Sequence, residues 1–321
     1  MRIVSLLPSA TETVCALGAR GELVGRSHEC DYPPSVAGVA VMTRARFTLG
    51  TSGAIDAMAR ATLADATSIF EIDTAKLEAA RPDVIVTQDL CDLCAVSIDD
   101  VRATVARMSR SADVRLVNLG PLRLADVFCD VKRTADALGK HDAGVALVER
   151  LEARVRDISA VARAVAHRPK VLALDWIDPL MVAGFWMPEL VELAGGTPLL
   201  AKPALPGGAL DARDLDAIDP DVVFVAACGF DVARTLEEGD ELRARLPSRW
   251  RAVRSNRVYV ADGNAFFNRP GPRLVESLEI LARAIHPRTF GGVQAHALFT
   301  DRKPTSAAGA RAGAARSLRS S

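Results

Sequence analysis

LEAARPDVIVTQ, residues 77–88, returns in the second half of the chain as LDAIDPDVVFVA, residues 215–226. Each copy reads as the end of a helix, a Pro-Asp step and a run of Val and Ile. Such a run is apolar on both faces, as in a strand buried inside a parallel sheet. Two more echoes keep the same order: RIVSL (2–6) with KVLAL (170–174), and ETVCALGA (12–19) with ELVELAGG (189–196). Repeats in one order imply two similar halves.

Seven segments have this character: 2–7, 22–26, 83–88, 114–119, 170–175, 221–227 and 257–262. Amphipathic stretches such as ATETVCALGA, DDVRATVARMSR and RLVESLEILARAI lie between them. Strand and helix in alternation predict an α/β fold with parallel strands. Ser9-Ala10-Thr11-Glu12 has capping-box spacing and is expected to start the first helix. Residues 141–168 keep a helical period with no Pro and no Gly after 144. They predict a single long helix that crosses once between the halves as a stiff hinge. The expected architecture is two Rossmann-like lobes, 1–140 and 169–290, joined by the helix 141–168. Residues 291–321 end in an Ala, Gly, Ser and Arg tract and are expected to be a disordered tail.

Length and composition agree with two soluble domains: 321 residues, 49% hydrophobic and 25% charged. Forty basic residues balance forty acidic ones, which argues against non-specific binding to nucleic acid or an anionic membrane. No apolar run reaches the length of a transmembrane helix, so no membrane insertion is expected. MRIVSLLPSATETV lacks the features of a secretory signal, and six cysteines are few for so long a chain. Reduced thiols and a cytoplasmic location are therefore expected, with a periplasmic one only if the true start lies upstream and encodes a signal. A monomer is expected.

In an open parallel sheet, ligands bind beyond the carboxyl ends of the strands. The rare residues gather there. SHECDYPP follows the second segment, DLCDLC the third and WIDP the fourth, with Phe185-Trp186 a little further on; GNAFFNRPGP follows the last. If the lobes face each other, these loops line one cleft.

SLLPSATE, DYPP, the two PDV segments, the linking helix, GGTPLL and NRPGPRLVESLEILA together resemble the vitamin B12 and iron-chelate substrate-binding proteins of ABC transporters. HECDYP and the CxxCAVS loop resemble the cobalamin-binding subgroup. The similarity covers roughly residues 1–290. It implies a class III periplasmic-binding-protein-like fold, a corrinoid (cobalamin-like) or other metal chelate as ligand, and little hinge motion. It also implies a glutamate about seven residues before each PDV proline for docking on a permease. Here those positions are Ala75 and Arg213, which argues against an ABC permease partner.

The candidate residues are read with their plainer alternatives. Tyr32, Trp176, Trp186 and Phe266 would form flat walls against a planar macrocycle, or simply be core. Asn268 and Arg269 would bond a ligand's polar side groups, or order their own loop. His28, Cys30, Cys91 and Cys94 would make a tetrahedral set for zinc or iron, or a ligand to a chelated metal, if their loops touch; a loop cluster of reduced thiols and a redox disulfide stay open beside it. Cys15 and Cys129 read as small core residues. None of GxSxG, Walker A, GxGxxG or HExxH occurs, which favours a binding protein over an enzyme. The alternative function is a cytoplasmic Cys/His metal-binding or redox protein using Cys30, Cys91 and Cys94.

Overall fold

The computed structural model describes residues 1–46, 50–64, 69–89, 97–109, 111–291 and 295–298. The first lobe runs β1 (Ile3–Ser5), α1 (Pro8–Ala16), β2 (Leu23–Arg26), β3 (Ala40–Val41), β4 (Thr43–Ala45), α2 (Ser52–Ala64), β5 (Phe70–Ile72), α3 (Thr74–Ala80), β6 (Val84–Gln88), α4 (Ile98–Ala106), β7 (Arg115–Leu119) and α5 (Leu124–Ala137). Then comes α6 (His141–Arg163). The second lobe follows with β8 (Lys170–Trp176), β9 (Met181–Val182), α7 (Met187–Leu193), β10 (Thr197–Pro198), β11 (Gly208–Ala209), α8 (Ala212–Ala217), β12 (Val222–Val225), α9 (Val232–Glu237), α10 (Gly239–Arg245), α11 (Arg251–Arg254), β13 (Val258–Val260), α12 (Leu274–Ile285) and β14 (His296–Ala297).

The first sheet is parallel throughout, in the order β3-β2-β1-β6-β7. The second has β8, β12 and β13 parallel at its centre, with β10 parallel to the start of β8. Its edges are antiparallel: β9 and β11 on one side, β14 on the other. All seven expected segments are strands of these two sheets. The expectation of parallel sheets therefore needs correcting only at the second sheet's rim. Three of the strands missing from the sequence reading there are two-residue antiparallel pieces, too short to show a period.

Period-2 alternation sorts the central strands onto two faces. Val171, Ala173, Val222 and Phe224 enter one core, while Leu172, Leu174, Val223 and Val225 enter another. The first of these cores does not stop at the lobe boundary. It joins Ile3, Val84 and Val117 of the first sheet to the second through α1, α5, α6, α7 and α12. Gly144 of α6 makes part of this closeness possible: a Cβ there would lie 2.4 Å from the Ala135 Cβ of α5. α6 thus lays one face, with Leu147, Val148, Leu151 and Ile158, on a shared core.

The residues expected in a disordered tail are in part placed. β14 pairs with β13, Leu298 is buried in the second core, and its carbonyl accepts from Arg243 Nη2 at 2.6 Å.

Candidate functional site

The loops beyond the strand ends of the two lobes meet, and a buried arginine is the centre of the contact. Arg269, from the loop after β13, is 4% exposed. Its guanidinium reaches the Asp31 carboxylate at 2.5 and 3.1 Å, Glu12 Oε1 at 3.3 Å and Asn264 Oδ1 at 3.0 Å. Asp31 follows β2 and Glu12 sits in α1, so the ion pairs cross from lobe to lobe. A forked guanidinium facing two carboxylates is a geometry lysine cannot replace. Gly271 lies against Ser9 of α1, where a Cβ would meet the Ser9 Cβ at 3.2 Å.

Glu12 is here because the first helix does not start as the capping-box spacing predicts. Pro8, with its preset φ, occupies the first helical turn after an extended Leu7, and among the described residues no side chain caps the helix. Ser9 Oγ is buried with no partner among the described residues, and Glu12 turns to Arg269 and Arg273 instead of back to a backbone amide. Burial pushes the Glu12 carboxyl up to about 7, against the pull of Arg273 and Arg269. Burial likewise pushes Glu29 up to about 7. Asp31 goes the other way: burial opposes it, but the hydrogen bonds and charge of Arg269 outweigh burial and hold it below the usual carboxylate range.

Two stacks flank the seam. Tyr32 is 43% exposed, and the Arg273 guanidinium lies 4.0 Å from its ring centroid and 4.3 Å from that of Phe266. The pair of cation–π contacts again joins the lobes. In the second stack Arg234 lies 4.3 Å from the Phe230 ring, and Phe230 is 5.3 Å from the half-buried ring of Trp176. Trp176 Nε1 donates to the Asp178 carbonyl at 3.1 Å.

The remaining predicted residues are occupied within the protein. Trp186 is buried in the shared core, donates to the Phe267 carbonyl at 2.9 Å and stacks on Phe185. Phe185 has a left-handed backbone (φ 53°), held from both sides by Leu205 and Ala204 of the neighbouring loop. Asn268 Nδ2 donates to the carbonyls of Ala226 and Gly263 at 3.0 and 3.2 Å and so orders its own turn.

His28 Nδ1 is 2.8 Å from Thr43 Oγ1, and its ring packs 5.3 Å from Phe70. Burial, with the charge of Arg26, lowers its pKa. Cys30 is buried, and burial pushes its thiol up to about 12. Thr11 Oγ1 lies 2.8 Å from Ser5 Oγ and 3.0 Å from Cys30 Sγ, in donating distance of both. A metal ligand must be a thiolate, and this environment opposes one. Cys91 and Cys94 lie outside the described residues. Among the described residues no cluster of three or more His, Cys, Asp or Glu side chains is placed to hold a metal. Cys15 is half-buried against the shared core, whereas Cys129 is exposed and corrects the reading of it as core.

Sequence reasoning named Arg269 but missed its partners, because Glu12 is 257 positions away and carries no local signal. Ala75 and Arg213 occupy the second position of α3 and of α8, the same place in each lobe. The acids beside them are spent as helix caps: Asp73 accepts from the Lys76 amide, Asp211 from those of Arg213 and Asp214.

Three comparisons place this architecture among known proteins. The family model described as "Periplasmic binding protein" matches residues 3–265. A curated relative from Bacillus subtilis (strain 168), the uncharacterized ABC transporter substrate-binding lipoprotein YvrC, is 22% identical over 297 residues, covering 90% of this chain and 81% of the relative. The periplasmic heme-binding protein RhuT of Roseiflexus sp. RS-1 is a structural neighbour with a TM-score of 0.67 and 20% identity, over 90% of this chain and 98% of its own. The periplasmic vitamin B12-binding protein BtuF of Vibrio cholerae is another, with a TM-score of 0.63 and 17% identity, over 89% and 96%.

Proposed function

We propose that this chain, which belongs to the periplasmic binding protein family, holds one flat metal chelate of the corrinoid or haem class between its lobes. The observation that carries the reading is the pairing of aromatic rings with arginines at the meeting strand ends: Tyr32 and Phe266 on Arg273, and Phe230, which packs on Trp176, on Arg234. Flat rings offer a macrocycle its largest apolar contact, and each stacked aromatic adds about 1 kcal/mol beyond the area it buries. Arginines beside them suit the carboxylate or amide arms of such a ligand. The structural neighbours named for heme and vitamin B12 support this ligand class without choosing within it.

The Cys/His metal or redox alternative finds no support in Cys30, whose protonated thiol is tied to Thr11.

The test is an absorption titration with haemin and with cyanocobalamin. One of the two is expected to give a spectral change that saturates at one equivalent. Tyr32→Ala and Trp176→Ala are each expected to weaken binding by about tenfold, the equivalent of 1.4 kcal/mol. A folded protein that binds neither chelate would refute the proposal.

A further inference from the structure

Helix α2 belongs to the first lobe by connection, because β4 and β5 pair as an antiparallel ribbon on either side of it. Its first turn is nevertheless held by the second lobe. The Ser52 amide donates to Glu238 Oε1 at 2.8 Å, and the Ser52 hydroxyl donates to the other oxygen of the same carboxylate. The Gly50 carbonyl accepts from Arg234 Nη2 at 2.7 Å, and Arg234 pairs with Glu238 at 2.6 Å. Ile55 packs on the second lobe's own core, and a Cβ on Gly53 would lie 2.5 Å from Asp178 Oδ2. The opening turn of any helix has orphan amides and favours a negative charge. Here that charge is supplied from across the molecule.

The anchoring residues are those of the proposed cleft wall or their neighbours. Asp178 follows β8 and accepts the Trp176 indole through its carbonyl. Arg234 lies over Phe230, which packs on Trp176. The lobes themselves cannot part easily, because one core runs through both and the buried Arg269 pairs tie the seam. Separating them would split a packed interior and strand a buried charge. Any opening that admits a ligand is therefore a local motion and not a parting of the lobes. Among the described residues the first turn of α2 is held by hydrogen bonds of Ser52 and Gly50 to Glu238 and Arg234, by Ile55 and by the close approach of Gly53 to Asp178, and so small a contact belongs to the low-stability end of a fold.

We propose that α2 is a strap across the cleft: it leaves the second lobe to admit ligand and is fastened again by Glu238 and Arg234. The inference rests on the ligand-cleft reading and adds to it the route of access.

A reversible lock tests it. The Cβ built on Gly53 is 3.6 Å from the Asp178 Cβ, a separation that suits a disulfide. In Gly53→Cys/Asp178→Cys protein, with the bond mapped by mass spectrometry, association of haemin or cyanocobalamin is expected to slow by about tenfold or more on oxidation and to recover with dithiothreitol. Equal rates in the two states would overturn the strap. Hydrogen exchange on the ligand-free protein decides the same question without a chelate. Amides of α2 are expected to exchange about tenfold or more faster than those of α6, and Glu238→Ala to widen the gap while leaving α6 unchanged. Exchange of α2 in step with α6 in both proteins would overturn the strap, whether or not a chelate binds. Independent α2 exchange in a protein that binds neither chelate would uphold the opening of α2, sink the ligand reading and with it overturn the strap's role in ligand access.

Discussion

Glu12 and Arg269 show what single residues decide in this molecule. The carboxyl of Glu12 is raised from 4.5 to about 7 because burial outweighs the attraction of Arg273 and Arg269. The folded chain then holds a proton that the unfolded chain has released. Its contribution to stability is present below pH 4.5 and is lost as pH rises through about 7, with a slope of at most about 1.4 kcal/mol per pH unit for one group. Glu12→Gln removes the titration, so the stability of wild type relative to this variant is expected to fall by about 1–3 kcal/mol between pH 5 and pH 8, read from urea unfolding at each pH. A relative stability that rises over that range would show that the arginines, not burial, dominate. Asp31 is held low, so its contribution is present at neutral pH and is lost only in acid, below the usual carboxylate range; the two windows do not overlap. At this scale the sequence was least legible. Arg269 stood out in NRPGPR, but nothing near it names Glu12 or Asp31 as partners, and the capping-box spacing at Ser9 pointed Glu12 toward a backbone amide it does not meet.

At the scale of elements, Trp186 separates core from cleft. Its ring sits in the shared core with its indole N–H bonded to the Phe267 carbonyl, so Trp186→Ala is expected to cost about 3–5 kcal/mol of stability in denaturant unfolding. Trp176 is half-buried at a strand end, and Trp176→Ala is expected to cost clearly less than that while weakening ligand. Equal stability losses would mean that both are core. The longer strands were legible because each is a short apolar run, continuous where both faces are buried as in β1, β6, β12 and β13, and the Pro-Asp step before two of them marks where each begins. The edge strands β3, β9, β10 and β11 were not, since two residues carry no period. The α2 strap was not read either: its anchors, Arg234 and Glu238, lie 184 and 186 positions from Gly50 and Ser52, and only the fold brings them together.

At the scale of the whole molecule, the repeat of LEAARPDVIVTQ in LDAIDPDVVFVA predicted two lobes, and the structure has two. What no repeat could show is that they share one core, because continuity of packing depends on how α5, α6, α7 and α12 nest rather than on any one segment. A shared core makes the pair of lobes a nearly rigid frame and moves the expected motion to α2. A chelate between the strand ends of both lobes would shield those segments, and hydrogen exchange with and without saturating haemin or cyanocobalamin reads this. Slowed exchange is expected in strand-end segments of both lobes, 27–34 in the first and 176–186 and 263–273 in the second, with α6 unchanged. Protection confined to one lobe, or lying away from these segments, would contradict that placement.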